Sequence, residues 1–335
     1  MTTYDVHAHC APTGLLDELA RNGARYGIEE VRTDRGRALR FAGGVTTPPL
    51  REDFDDVDHR IGSMDAARID VQLLSTWIDL SAYSLPRDAG VAYSRWFNDL
   101  LAETVASRPG RFLGLCTVPL QSPTDAAEEL RRAVVDLGMV GVEIAPTVAG
   151  RDLDDPDLDP FWGMAAELRC PVLLHPYHSL AGREVTRYFL GNMLGNPAES
   201  TIAIAHMLFG GVLDRFPDLR PMMVHGGGFA PWQSGRWDRG FEAVSHLSRK
   251  GGISTRPTEL LRRVHFDTVL HDPAVLALLI RWAGAERVVL GSDYPFPMGD
   301  LTPVDTLDRV EGLDAADRDL ILGGNFARLL ADVRR

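Results

Sequence analysis

Eight short apolar runs, separated by stretches of helical periodicity, restrict the folds open to this chain more than any other feature. The runs fall at 3–7, 70–75, 111–117, 139–145, 171–175, 221–225, 264–268 and 287–291, with cores such as Val71-Gln72-Leu73-Leu74, Val172-Leu173-Leu174 and Val288-Val289-Leu290. Runs this short and apolar bury themselves as parallel strands. Between most of them, residues 57–67, 93–106, 126–137, 161–168 and 274–282 repeat their apolar side chains as one face of a helix. Eight strands alternating with helices predict an α/β fold, a (β/α)8 TIM barrel that uses residues 1–335 as a single domain. A doubly wound sheet shares the alternation, but it more often places a glycine-rich turn after its first strand. Here that turn carries histidines.

Two segments break the rhythm. Residues 10–55 are polar and glycine-rich and read as a small insertion after the first strand, with a hairpin expected in 31–41 around Asp34-Arg35-Gly36. Residues 176–220 form a second long segment, after the fifth strand. Loops this long in a compact domain are usually functional. At the C-terminus, residues 315–330 are apolar at helical spacing, and Gly323-Gly324 predicts a division into two short helices.

The net charge of -12 leaves no basic excess to meet phosphate, so nucleic acid is excluded as a partner. Cys10, Cys116 and Cys170 are odd in number and far apart, which does not make a disulfide framework. The start lacks a basic region before an apolar stretch, and no run approaches the roughly 20 residues that span a bilayer. A cytoplasmic protein with no membrane partner is the expectation.

The polar ends of the strand runs carry the chemistry. His7 and His9 lie in the first run, His175 closes the fifth, His225 the sixth, and Asp293 follows the eighth. Residues i and i+2 of a strand face the same side, so His7 and His9 can hold one ion together. His175 and Asp293 complete a four-residue shell, and imidazoles with a carboxylate suit a divalent ion, zinc before manganese. His225 precedes Gly226-Gly227-Gly228, where backbone can come close. It serves either as a fifth ligand or, the preferred reading, as a group that takes a proton from water at the metal. Glu143, at the end of the fourth run, is a ligand, an arginine partner or a buried acid, with a non-ligand role preferred.

The motifs Asp5-Val6-His7-Ala8-His9, Leu174-His175-Pro176, Val224-His225-Gly226-Gly227-Gly228 and Gly291-Ser292-Asp293-Tyr294-Pro295-Phe296-Pro297 occur in order at fitting intervals. Together the chain from about residue 4 onward resembles the decarboxylase branch of the amidohydrolase superfamily. That resemblance implies a zinc ion on His7, His9, His175 and Asp293, with His225 acting beside it. It also implies a homodimer in which an arginine of one subunit reaches its neighbour's pocket, and Arg236 falls at that arginine's position. Arg51 falls at the position of a second carboxylate-binding arginine. Asn192 stands where a pocket tryptophan is expected, so the resemblance covers the metal chemistry more closely than the substrate.

The leading expectation is therefore non-oxidative decarboxylation of a small anionic substrate, an aromatic or unsaturated carboxylic acid, with Arg236 and Arg51 on the carboxylate and His225 or Asp293 handling the replacing proton. Hydrolysis of a carbon–carbon, amide or lactone bond in a ring-cleavage product uses the same groups. Hydration of an unsaturated acid is a third reading. A metal-storage or interaction protein has no need of ligands gathered at strand ends.

Overall fold

A computed structural model describes residues 1–176, 185 and 187–334. Its centre is an eight-stranded parallel sheet in which every strand pairs with the next in chain order. The strands are β1 (Tyr4–Cys10), β2 (Val71–Thr76), β3 (Phe112–Cys116), β4 (Gly141–Ile144), β5 (Pro171–Leu174), β6 (Arg220–Met223), β7 (His265–Asp267) and β8 (Val288–Val289). The ring closes where the Val6 amide donates to Leu290 O at 2.9 Å and the His9 amide to Tyr294 O at 2.7 Å. The eight expected strands are those observed, and the fold is the expected barrel.

Side-chain alternation divides the barrel into two levels. Leu73, Leu115, Leu173, Met222 and Val289 form a buried inner cluster with Val6, and Phe326 and Leu329 of the C-terminal helix close it. Their strand neighbours Leu74, Cys116, Val172, Leu174 and Met223 belong to the outer layer against the helices. One inward step further along β2 and β5, Leu73 gives way to Ser75 and Leu173 to His175. The filling therefore turns from apolar to polar toward the C-terminal ends, where barrel enzymes place their chemistry.

In β1 the register to β2 slips between Asp5 and Ala8. This one-residue bulge lets both Val6, in the inner cluster, and His7 face inward, as bulges beside active sites often do by re-aiming a side chain.

The excursion after β1 contains a helix, Leu15–Asn22, and the expected hairpin, Ile28–Thr33 with Gly36–Phe41. Within the segment after β5, residues 177–184 and 186 lie outside the described residues, and Asn196–Phe209 is helical.

One local expectation fails. Gly323-Gly324 does not divide the C-terminal helix: Ala315–Asp319, the π turn Leu320–Gly324 and Asn325–Asp332 run on without a break. A Cβ at Gly323 would stand 2.0 Å from Thr2 O, so that glycine makes room for the N-terminal backbone.

Candidate metal centre and active site

β1 delivers His7 and His9, the residue after β5 is His175, and Asp293 sits in the turn after β8. The donor atoms of these four buried residues lie within 4.8 Å of one another. His7 Nε2 is 3.1 Å from His9 Nε2 and 3.3 Å from Asp293 Oδ1, which lies 3.2 Å from His9 Nε2. The His175 ring centroid is 4.4 Å from that of His9 and 5.2 Å from that of His7. Among the described residues neither His175 nitrogen has a hydrogen-bond partner, and Asp293 Oδ1 accepts no hydrogen bond. Buried polar groups are almost always satisfied, so this concentration of unmatched donors fits a cation.

The other ring nitrogens are held from behind. His7 Nδ1 meets Asp267 Oδ2 at 2.6 Å, and His9 Nδ1 donates to Thr76 O at 3.0 Å. Both contacts leave Nε2 free to bind a metal, the usual support for ligand histidines. Asp267 also accepts from the Gly226 amide at 2.8 Å through Oδ1, so one carboxylate braces both a donor histidine and the turn that carries His225.

Charge states follow from this packing. Burial depresses the His7 imidazole, but the Asp293 and Asp267 carboxylates outweigh it and raise His7 to about 10. Burial, then crowding by His9 and His7, holds His175 well below its ordinary value and therefore neutral. Burial would raise Asp293, yet His7, His225 and His9 keep it well below the usual carboxylate range. A carboxylate and a neutral imidazole are the forms that bind a metal, and the His7 proton is one that an arriving ion displaces.

His225 Nε2 stands 3.5 Å from Asp293 Oδ2, and its Nδ1 is buried without a partner among the described residues. His225 and Asp293 both adopt left-handed backbone, φ +54° and +59°, an arrangement that surrounding structure must enforce. The glycines after His225 allow the approach foreseen from the sequence: a Cβ on Gly228 would stand 2.2 Å from Pro197 O. His225 and Asp293 line a cavity of about 260 Å³ whose other walls include Phe229, Trp232, Val269, Leu270 and Met298. Asn192 lines it as well.

The two arginines stand elsewhere. Arg51 is clamped by Asp53, donates to Pro295 O at 3.1 Å, and borders a neighbouring cavity rather than this one. Arg236 is exposed on the helix Ala230–Ala243 and does not line the cavity of its own chain. Glu143 is buried, with Oε2 3.8 Å from His9 Nδ1, and burial pushes its carboxyl up.

Sequence reasoning missed four residues. Asp267 ends β7 with no motif around it. Asp5 accepts from the His7 amide, Gln72 Nε2 and Ser292 Oγ, joining β1, β2 and the Asp293 turn. Arg60 is buried and donates to His9 O at 2.6 Å and Gln72 Oε1 at 2.8 Å. His271, in the loop after β7, lines the cavity; its position just past a strand end was the available signal.

The amidohydrolase family profile matches residues 4–331. A 2-amino-3-carboxymuconate-6-semialdehyde decarboxylase of Dictyostelium discoideum is 34% identical over 276 residues, 82% of this chain and 76% of its own. A 2-keto-4-carboxy-3-hexenedioate hydratase of Sphingobium sp. is 27% identical over 319 residues, 86% of this chain and 88% of its own. The crystal structure of a 5-carboxyvanillate decarboxylase from Sphingomonas paucimobilis matches with a TM-score of 0.84 at 24% identity, covering 99% of both chains.

Proposed function

Because the chain belongs to the amidohydrolase family, we propose that it is a metal-dependent, non-oxidative decarboxylase of an aromatic or unsaturated carboxylic acid. The observation that carries this reading is the buried donor set, whose Asp293 lines a cavity with aromatic and aliphatic walls. His7, His9, His175 and Asp293 hold one divalent ion, and three imidazoles with one carboxylate favour zinc over manganese. When bound, such an ion supplies Lewis-acid stabilisation of negative charge as the carbon–carbon bond breaks.

The protein's own groups do the rest. Phe229 and Trp232 at the cavity wall pack against a planar unsaturated substrate and keep water away from it. The bond to the carboxylate breaks, carbon dioxide leaves, and the electron pair stays on carbon. His225 Nε2, beside Asp293 Oδ2, holds the proton that replaces the lost carboxylate, with Asp293 stabilising the imidazolium.

A bound carboxylate needs a cation, and no lysine or arginine lines the cavity among the described residues. That supports Arg236 as a group supplied by the second subunit of a homodimer, its guanidinium gripping both carboxylate oxygens. Arg51 acts from the neighbouring cavity once a substrate competes with Asp53. No helix among the described residues is long and apolar enough to cross a membrane. The three cysteines are free and buried, which suits a reducing cytoplasm.

Hydration of an unsaturated acid is the second reading, favoured by the 27% identical hydratase. Turnover of a panel of unsaturated and aromatic acids in ¹⁸O-labelled heavy water separates the two. Carbon dioxide release with deuterium at the vacated carbon is expected. Product that retains its carboxylate and gains solvent oxygen would overturn decarboxylation, and metal analysis of the same preparation reads the ion.

A further inference from the structure

The opposite end of the barrel holds a second concentration of charge. Arg220 opens β6, His265 opens β7 and Arg287 immediately precedes β8, so all three sit at strand N-termini, away from the metal donors. With Arg263 and Arg328 they line a cavity of about 310 Å³. Two acids, Glu286 and Asp332, share the lining with these four arginines, in a chain whose net charge is -12.

The arginines are poorly matched. Among the described residues no carboxylate lies within 4.0 Å of Arg263, Arg287 or Arg328, although surface arginines elsewhere in this chain are commonly paired. Arg220 approaches Asp332 only at 3.8 Å and Asp218 at 4.0 Å, and Asp218 is already held by Arg169 at 2.5 Å. Arg263 donates to Pro217 O at 2.7 Å and weakly to Leu213 O at 3.5 Å, Arg220 uses Nη1 on Asp218 O at 2.9 Å and Leu219 O at 3.3 Å, and Arg287 has a weak contact to Arg263 O at 3.4 Å. Each guanidinium has five N–H donors, so most remain uncommitted to protein acceptors. Burial, and after it repulsion from Arg220 and Arg263, lowers the Arg287 pKa despite Glu286 beside it.

His265 supplies an independent indication. It is only 5% exposed, lines the same cavity, and its Nδ1 has no hydrogen-bond partner among the described residues. An unmatched buried imidazole nitrogen among uncompensated guanidinium groups describes a cavity complementary to negative oxygen atoms.

We propose that this cavity binds a small multivalent oxyanion, a phosphate or a dicarboxylate, independently of the metal centre. Such an anion bridges the N-terminal ends of β6, β7 and β8 to the C-terminal helix through Arg328. It replaces mutual repulsion by charge-assisted hydrogen bonds, so it stabilises the folded barrel by linkage.

The test is thermal unfolding of the metal-loaded protein in inorganic phosphate or in succinate, at ionic strength held constant with sodium chloride. Wild type should show a rise in Tm that follows the logarithm of anion concentration above the half-saturating value, about 2–5 °C at a hundred times that concentration. The double variant R263Q/R287Q should lose that logarithmic rise and keep only the gradual salting effect common to any folded protein. A response to phosphate alone identifies a phosphate site, and a response to succinate a carboxylate site. No logarithmic rise with either anion beyond the salting effect, or the same rise in wild type and double variant, would overturn the proposal. If the double variant does not fold, R328Q serves instead: Arg328 is exposed, and its loss should raise the half-saturating concentration at least about 10-fold, the scale of one charge-assisted contact. An unchanged value in R328Q would equally refute the site.

Discussion

Replacing Asp267 by asparagine tests the metal centre through a single proton. Asp267 Oδ2 meets His7 Nδ1 at 2.6 Å, while Oδ1 accepts from the amides of Gly226 at 2.8 Å and Val269 at 3.2 Å. An asparagine keeps only one oxygen. Turning its NH2 toward the two amides would strand two buried donors at about 1–3 kcal/mol each. The oxygen therefore stays on the amides and the NH2 faces His7 Nδ1. That nitrogen must then accept, which moves the imidazole proton to Nε2, the atom aimed at Asp293 and His9. A protonated Nε2 offers no lone pair to a metal. Since losing a group behind a ligand histidine typically costs 10–100-fold in metal affinity, D267N should weaken zinc binding by about that range. Titrating metal-free protein with zinc against a fluorescent chelator measures the affinity, and thermal unfolding in EDTA establishes that the barrel is intact. Wild-type zinc affinity in folded D267N would refute the reasoning.

Three further outcomes are expected. H225A should retain its metal and lose about 100-fold in turnover, the scale of general acid–base assistance; loss of metal, read by elemental analysis, would make His225 a ligand instead. Burial and the surrounding arginines hold His265 at about 3, against 6.5 for the free imidazole. The unfolded chain binds this proton first, so the associated stability is complete above pH 6.5 and is lost as pH falls from there toward 3, by about 1.4 kcal/mol per pH unit. H265N should flatten that part of the Tm–pH curve, and an unaltered curve would contradict the assignment. Finally, mixing R236A with H175A subunits should restore activity in heterodimers that possess one intact shared site; none in verified heterodimers would exclude Arg236 from its neighbour's pocket.

The legible parts of this protein are those governed by short periodicities. Short apolar runs such as those of β2 and β5 identified strands, and a polar residue at the end of such a run, as at His175, marked the active face. The histidine pair in β1 carried two donors in three residues. The supporting groups were obscure because their meaning is nonlocal. Asp267 ends a three-residue strand, and only folding reveals His7, 260 positions away, as its partner. Arg60 lies in the helical stretch 57–67, where nothing local distinguishes it, yet it is buried and donates to His9 O. Gly323-Gly324 looked like a break because its contact, Thr2 O, lies at the other end of the chain. Arg51 shows the limit of positional matching: the residue sits where expected in the chain, and its geometry is set by Asp53 two residues later.

The seam between β1 and β8 gives the metal donors an order of assembly. His7 and His9 emerge first from the ribosome, His175 midway, and Asp293 only after more than four-fifths of the chain has been made. Backbone joins the two ends where the Asp293 amide donates to His7 O at 2.7 Å, so the last donor docks directly on the first. A nascent chain lacking β8 has the three histidines but no Asp293 carboxylate, and its barrel has an open edge. Such long-range closure is slow because the loop entropy is lost before its contacts form. A cation held by donors on both sides of the seam would bind tightly only once the circle is complete, because metal affinity is coupled to the folding that assembles its ligands.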